Sequence, residues 1–271
     1  MLRCALRTRR PGGRFRCETP RARLSAAPGR LLGSAVPARG RGRGGERGMG
    51  GDAWNPEEDG ARMGFADAMS YGDYLRLETL LAQQHPLSAA HDEMLFIVQH
   101  QTSELWMKLV VHELAAARAA LSDGDMARMF KMLARVGRIF EQLNAQWDVL
   151  RTMTPADYTA FREALGPSSG FQSWQYRMIE FVLGNRNPNM LRPHAHVPEV
   201  RALLEAELAR PSLYHEVVRR LFVTLDGHDR DMPAPRLDAP HRADPAIQAR
   251  WRRVYEDVGA HWTLYELAEK L

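Results

Sequence analysis

His100 lies in the middle of the apolar run FIVQHQTSELWMK, Phe96 to Lys108. If that run is helical, Phe96 and His100 share one face, with Glu93 a turn before Phe96 and Glu104 a turn after His100. An imidazole in that position closes a hydrogen bond in the core, ligates a metal, moves a proton or touches a substrate. His100 with Glu104 makes a metal site only if another part of the chain adds a ligand. A second pair, Tyr158 and Arg162, is again four residues apart. A phenol beside a guanidinium recognises a carboxylate, because arginine offers a planar two-pronged donor, although pairing with Asp157 or Glu163 at the surface is the usual fate of such an arginine. A third feature is YGDYL, which sets Tyr71 and Tyr74 three apart and is followed by the first long helical pattern.

These residues need helices to position them. From about Tyr71 onward apolar residues recur at three and four and almost nowhere alternate, so the spacing predicts an all-α chain. A long helix is expected from Asp92 to about Leu121, ending near Ser122-Asp123-Gly124, with Leu95, Val98, Thr102, Leu105, Leu109 and His112 among its inward candidates. A second is expected over Met126 to Met153, carrying a stripe from Met126, Met129 and Phe130 through Leu133, Val136, Phe140 and Leu143 to Trp147 and Leu150. Two long helices with so short a connection pack antiparallel, which makes the fold a helical bundle. Thr154-Pro155-Ala156-Asp157 is a helix start, and Gly166-Pro167-Ser168-Ser169-Gly170 stops the helix it opens. Further helices are expected from about Phe171 to Val182, Glu199 to Ala209 and Ser212 to Leu225. A proline-rich loop over Asp226 to Pro245 follows, and helical patterning resumes near Ala246 and at His261.

Charge is unevenly spread. Residues 1–48 hold 13 arginines against only Glu18 and Glu46, a balance of +11, which leaves −7 for the remainder of a chain whose total is +4. Rich in Arg, Gly and Pro and without apolar periodicity, residues 1–62 are expected to be a disordered tail ahead of a helical domain over 63–271. A transit peptide fits the arginines, but the Gly and Pro leave no amphipathic helix. A nucleic-acid-binding arm fits the charge, but only Phe15 offers a stacking surface. The third reading is translated upstream sequence with the start at Met49 or Met63. Cys4 and Cys17 are the only cysteines and both lie in this tail, so a disulfide framework, a thiolate metal site and a cysteine nucleophile are excluded from the helical part. No run reaches the ~18 apolar residues of a membrane span. A cytoplasmic protein with neither nucleic-acid nor membrane partners is the expectation.

Three long stretches tie these features together: YGDYLRL, then HDEMLFIVQHQTSELWMKL, then DYTAFREALGPSSGFQSWQYRMIEFVLGNRNP. In order and gaps they resemble the tryptophan 2,3-dioxygenase family, and the resemblance runs more loosely to the last residue. It implies an enzyme that uses haem b to open the indole ring of L-tryptophan with O2, giving N-formyl-L-kynurenine at the start of the kynurenine pathway. By that likeness His100 hydrogen-bonds the indole N–H, Phe96 packs on the indole, and Tyr158 with Arg162 holds the substrate carboxylate. Tyr71, Tyr74 and Leu75 match a segment that reaches a neighbouring subunit's pocket in a homotetramer. Trp147, Ser169 and Gly170 match positions bordering the haem. His100 is then an orienting partner more than an essential base.

The family's axial histidine matches a position beyond Leu271, so no metal ligand is assigned within the chain, and the uncapped ending YELAEKL reads as cut within a helix. His112 shares a helix with His100 and lies roughly 18 Å along its axis, too far to serve the same iron from the other face. His194, His196, His228 and His241 fall in loop-like sequence and are expected at the surface, with His261 near the end. The alternative to a dioxygenase is a shortened paralogue that binds a tryptophan-like ligand or a partner without catalysis.

Overall fold

The computed structural model describes residues 55–65, 67–235, 237 and 239–271, and every described element is helical. The arginine-rich segment 1–48 lies outside the described residues. Contacts divide the chain into two units, Met1–Leu77 and Glu78–Leu271. In the first, a single 3-10 turn over Pro56–Asp59 precedes the five-residue helix α1, Tyr71–Leu75. Ser70 and Asp73 start α1 with a reciprocal capping box, and Arg76 ends it at φ 53°, a left-handed conformation that closes so short a helix. Helix α2, Leu77–Leu81, carries the chain onward.

The second unit is built on α3, Asp92–Asp123, a helix of 32 residues. Its start is fixed by Glu93, a buried carboxylate that accepts the N–H groups of Leu87 (2.7 Å) and Ser88 (2.8 Å) and the Ser88 hydroxyl (2.5 Å). Gly124 ends it at φ 78°, and α4, Met126–Ala145, begins at once with Asp125 as its cap. Glu113 pairs with Arg135 and Ser103 with Gln146, at separations of 22 and 43 residues that straddle the same turn, so α3 and α4 run antiparallel as expected.

The buried face of α3 differs from the expected one. Val98, Leu105 and His112 are exposed, and the core takes Gln99, Met107, Val110, Leu114, Ala117, Ala120 and Leu121. The first half of α3 is apolar on several sides, so period alone does not choose a face. The winning line recurs at three and four, and its alanines let α4 approach closely. On α4 the expected stripe holds from Met126 to Leu143, with Met129, Leu133 and Val136 buried, Met126, Phe130, Phe140 and Leu143 packed against the core and Ile139 added, but the helix breaks at Gln146. Trp147 opens the separate four-residue helix α5, Trp147–Leu150, and is half exposed.

The remaining elements are α6, Pro155–Arg162; α7, Trp174–Leu183; α8, Pro198–Leu208; α9, Leu213–Asp226; α10, Pro245–Glu256; and α11, Trp262–Lys270. Thr154 and Asp157 close the expected capping box on α6, with Pro155 at its first position. Helices α7 and α9 pack on α3, and α11 on α4. Phe181, Leu204, Phe222, Val254 and Leu267 complete the core from α7 to α11. Arg186, which the sequence places in a turn, is 2% exposed. Its guanidinium donates to the backbone oxygens of Leu208 (2.8 Å), Glu207 (3.3 Å) and Arg210 (2.5 Å), capping the C-terminal end of α8 with a cation. Burial first, then the cations Arg118 and Arg210, lower its pKa, opposed by Glu207. Glu207 accepts a two-pronged bond from Arg118 of α3 at 2.6 and 3.0 Å. His194 corrects the surface expectation: it ends a 3-10 helix over Pro188–His194 and is 4% exposed, and burial, then His196 and Arg177, depress its pKa.

Two outcomes follow. Arg186→Met takes the guanidinium donor from the Leu208 and Arg210 carbonyls, the Glu207 carbonyl keeping the Arg210 N–H, and should lower the unfolding free energy by about 2 kcal/mol or more, read from the urea midpoint. The Ser88 hydroxyl and the Leu87 N–H hold the Glu93 carboxyl below its usual range. A depressed carboxylate stabilises above its unfolded pKa, and that stability is lost as pH falls through the folded value. The 83–91 segment should therefore open to protease as pH drops below about 4, and Glu93→Gln should open it at neutral pH.

Candidate functional site

On α3, His100 places Nδ1 2.7 Å from the Phe96 carbonyl oxygen. A carbonyl only accepts, so Nδ1 carries the proton, and in the neutral ring the lone pair sits on Nε2. The structural reading of this histidine and the functional one are thus compatible: one nitrogen is tied off within the helix, and the other is left as an acceptor. The Phe96 ring lies 4.1 Å from the imidazole between centroids.

Helix α6 docks on the same turn. Its Tyr158 ring is 5.9 Å and its Phe161 ring 5.5 Å from Phe96, and Phe161 meets Tyr158 edge-on at 5.4 Å. Phe161 is 1% exposed and anchors the group; it went unnoticed in the sequence, although it follows Tyr158 at three and so belongs to the same face. Arg162, one turn beyond Tyr158, is exposed and donates from Nη1 to the Gly166 carbonyl at 2.9 Å. Gly166 has φ 55° and ψ −133°, a conformation suited to glycine, which lets the chain double back and offer that oxygen. The other guanidinium N–H groups stay available to a ligand.

The neighbouring positions are set by polar ties that the sequence did not announce. Gln146 Nε2 donates to Ser103 Oγ at 2.5 Å, which brings the start of α5, and with it Trp147, beside α3 one turn from His100. Gln175 of α7 donates from Nε2 to both the backbone oxygen (2.8 Å) and Oε2 (2.7 Å) of Glu104. Glu104 and Glu93 are therefore occupied structurally and are not partners of His100. Ser169 caps a 3-10 turn over Gly170–Gln172, and both Ser169 and Gly170 are exposed. Tyr71, Tyr74 and Leu75 lie on α1 in the first unit, with all three side chains exposed. Among the described residues no group of three or more His, Cys, Asp or Glu stands together as a chelate for a bare metal ion.

A separate cleft of about 140 Å³ shares no residue with this cluster; it lies between the start of α9, the loop before α10 and Arg186. There Tyr214 Oη and His241 Nε2 are 2.9 Å apart, and burial, with Asp244 adding to it, pushes the phenol up to about 12. Its lining mixes small and apolar residues with Arg186, Tyr214, His215, His241, Arg242 and Asp244.

A profile of the family described as tryptophan 2,3-dioxygenase matches residues 56–218. A protein named tryptophan 2,3-dioxygenase from Ruegeria sp. (strain TM1040) is 75% identical over 223 residues, covering 82% of this chain and 80% of its own length. One of the same name from Ruegeria pomeroyi is 61% identical over 220 residues, covering 81% and 79%. A third, from Bradyrhizobium sp. (strain BTAi1), is 60% identical over 223 residues, covering 80% and 78%. The matched span includes Phe96, His100, Tyr158 and Arg162, and at these identities over most of both chains the sequence belongs to the tryptophan 2,3-dioxygenase family.

Proposed function

We propose that this chain opens the indole ring of L-tryptophan with O2 to give N-formyl-L-kynurenine, the first step of tryptophan breakdown through kynurenine. The observation that carries the reading is the His100 imidazole, protonated at Nδ1 by its bond to the Phe96 carbonyl and left with an acceptor at Nε2 inside an aromatic cluster. An indole presents an apolar face and one N–H donor. Phe96 and Tyr158 supply the apolar surface, and Nε2 accepts the N–H, which orients the ring.

The amino-acid end of the substrate needs a different partner. Arg162 already uses Nη1 for Gly166, and its remaining N–H groups form the fork for the carboxylate, with the Tyr158 hydroxyl beside it. Binding an apolar ring at one end and a carboxylate at the other fixes the substrate at two points. The ring bond to be cleaved is thereby held in one orientation.

The reaction needs a group that handles oxygen, and the residues fit haem b on one side. Half-exposed Trp147 and Val149 follow Gln146, whose amide ties to Ser103 one turn from His100, and on this reading Ser169, Gly170 and the exposed Phe171 complete the border. The described residues build no chelate for a bare ion, whereas a porphyrin brings four nitrogens of its own. When bound, haem iron supplies the one-electron and oxygen chemistry that side chains lack. His100 positions the substrate N–H and does not need to act as a base. On this reading Tyr71, Tyr74 and Leu75, exposed on α1, serve the pocket of a neighbouring copy in a homotetramer. Among the described residues no helix is long and apolar enough to cross a membrane.

Turnover of L-tryptophan by the haem-loaded protein, followed as formation of N-formyl-L-kynurenine, tests the reading, and absence of product removes it. Arg162→Lys replaces a fork with a point charge and should raise KM roughly 10- to 100-fold. His100→Ala should lower kcat/KM by roughly 10-fold without abolishing turnover. With 1-methyl-L-tryptophan, which has no indole N–H, the same substitution should cost little; an equal loss on both substrates counts against the hydrogen bond.

A further inference from the structure

Residues 163–173, between α6 and α7, are tied to α3 on both sides of His100. At one end Phe161 packs on Phe96, with ring centroids 5.5 Å apart. At the other, Gln175 holds Glu104 through its backbone and its carboxylate. Phe96 and Glu104 each lie four residues from His100 on the same face, so the anchors are about 12 Å apart along the helix. A segment of this length reaches roughly three times that distance when extended. Turns of 3-10 helix over Glu163–Leu165 and Gly170–Gln172 take up part of this slack, and the second of them, next to α7, must itself be seated.

Arg177 is placed to do this. It lies on α7 and is 8% exposed, and its guanidinium carbon is 4.9 Å from the Phe171 ring centroid and 4.8 Å from that of Tyr176. Nη1 donates to Glu180 Oε2 at 2.6 Å, and Glu180 Oε1 accepts Asn185 Nδ2 at 3.0 Å, so the cation is fixed from beneath. Phe171 is 54% exposed and follows directly on Ser169 and Gly170. An exposed ring is thus pinned on a buried cation. Arg177 Nε is buried without a hydrogen-bond partner, a cost that a methionine of similar reach would not carry. The pair with Glu180 accounts for a cation here, and a position under aromatic rings accounts for a planar one.

We infer that Arg177 is a positioning residue, which acts through Phe171 to keep the Ser169–Phe171 turn seated against α7, within the strap that joins the two ties to α3. The inference rests on the proposed tryptophan site for what the turn borders. It has no direct contact with substrate in this account. Loss of the stack frees the strap and loosens the substrate pocket, while the α3 core stays formed.

The test compares Arg177→Lys, which keeps the charge for Glu180 but not the planar stack, with Phe171→Leu, which removes only an exposed ring. Backbone hydrogen exchange over residues 166–173 should quicken in both, while residues 107–120 of α3 stay protected. KM for L-tryptophan should rise about 2- to 5-fold in each, with kcat changing less. The double variant should be no worse than the worse single one, because both remove one interaction. Unchanged exchange in the strap, or effects that add in full, would overturn the inference and leave Arg177 a packing residue. If the unaltered protein does not turn over L-tryptophan, the site reading fails separately, and the exchange result still decides whether Arg177 holds the strap.

Discussion

The hydrogen bond from His100 Nδ1 to the Phe96 carbonyl is 2.7 Å long and lies within one turn of α3, so nothing outside that helix is needed to set the tautomer. A helix brings only its third and fourth neighbours onto one face, and here that face reads Phe96, His100, Ser103 and Glu104. Other elements dock on it at different residues: α6 on Phe96, the start of α5 on Ser103, α7 on Glu104. His100 is the one left without an inter-helix partner in this line. The surroundings of His100 are therefore set by how α5, α6 and α7 seat on the same eight or so residues.

Rigidity for this arrangement comes from elsewhere in the unit. Arg118 of α3, Glu207 of α8 and Arg186 after α7 form a buried charged group that joins three elements and satisfies the end of α8. A buried ion pair of this kind adds modest net stability but strongly penalises any arrangement that separates its members. It fixes α3 against α8 and, through Arg186, the exit of α7. The His100 turn, by contrast, is framed by ring contacts and the side-chain amides of Gln146 and Gln175. The buried polar network and the aromatic cluster share α3 but occupy different turns of it, 118 against 96–104.

Much of the architecture could be read from the sequence, because it depends on local signals. Thr154-Pro155-Ala156-Asp157 carries its own start signal, and Gly124 and Gly184 take the left-handed conformation that ends α3 and α7. The face of α3 was misread, since Val98 and Leu105 are as apolar as Met107 and Val110, and only the docking of α4 and α7 separates them. Arg186 looked like a turn residue because its three acceptors lie more than twenty residues away, on backbone that no sequence pattern marks. The break at Gln146 was hidden for a similar reason: its amide is recruited by Ser103 across the helix pair. At the site, His100, Phe96, Tyr158 and Arg162 were visible as pairs at four, but Phe161, Gln175 and Arg177 were not. Their roles come from what they touch, and their types are unremarkable for helices.

The most direct measurement of the central claim is the protonation of the two His100 ring nitrogens, read by NMR on isotope-labelled histidine in the haem-free protein with and without L-tryptophan. The account predicts a ring protonated at Nδ1, with an Nε2 signal that moves as the indole N–H is accepted. A ring protonated at Nε2, or an Nε2 signal indifferent to bound tryptophan, would contradict it.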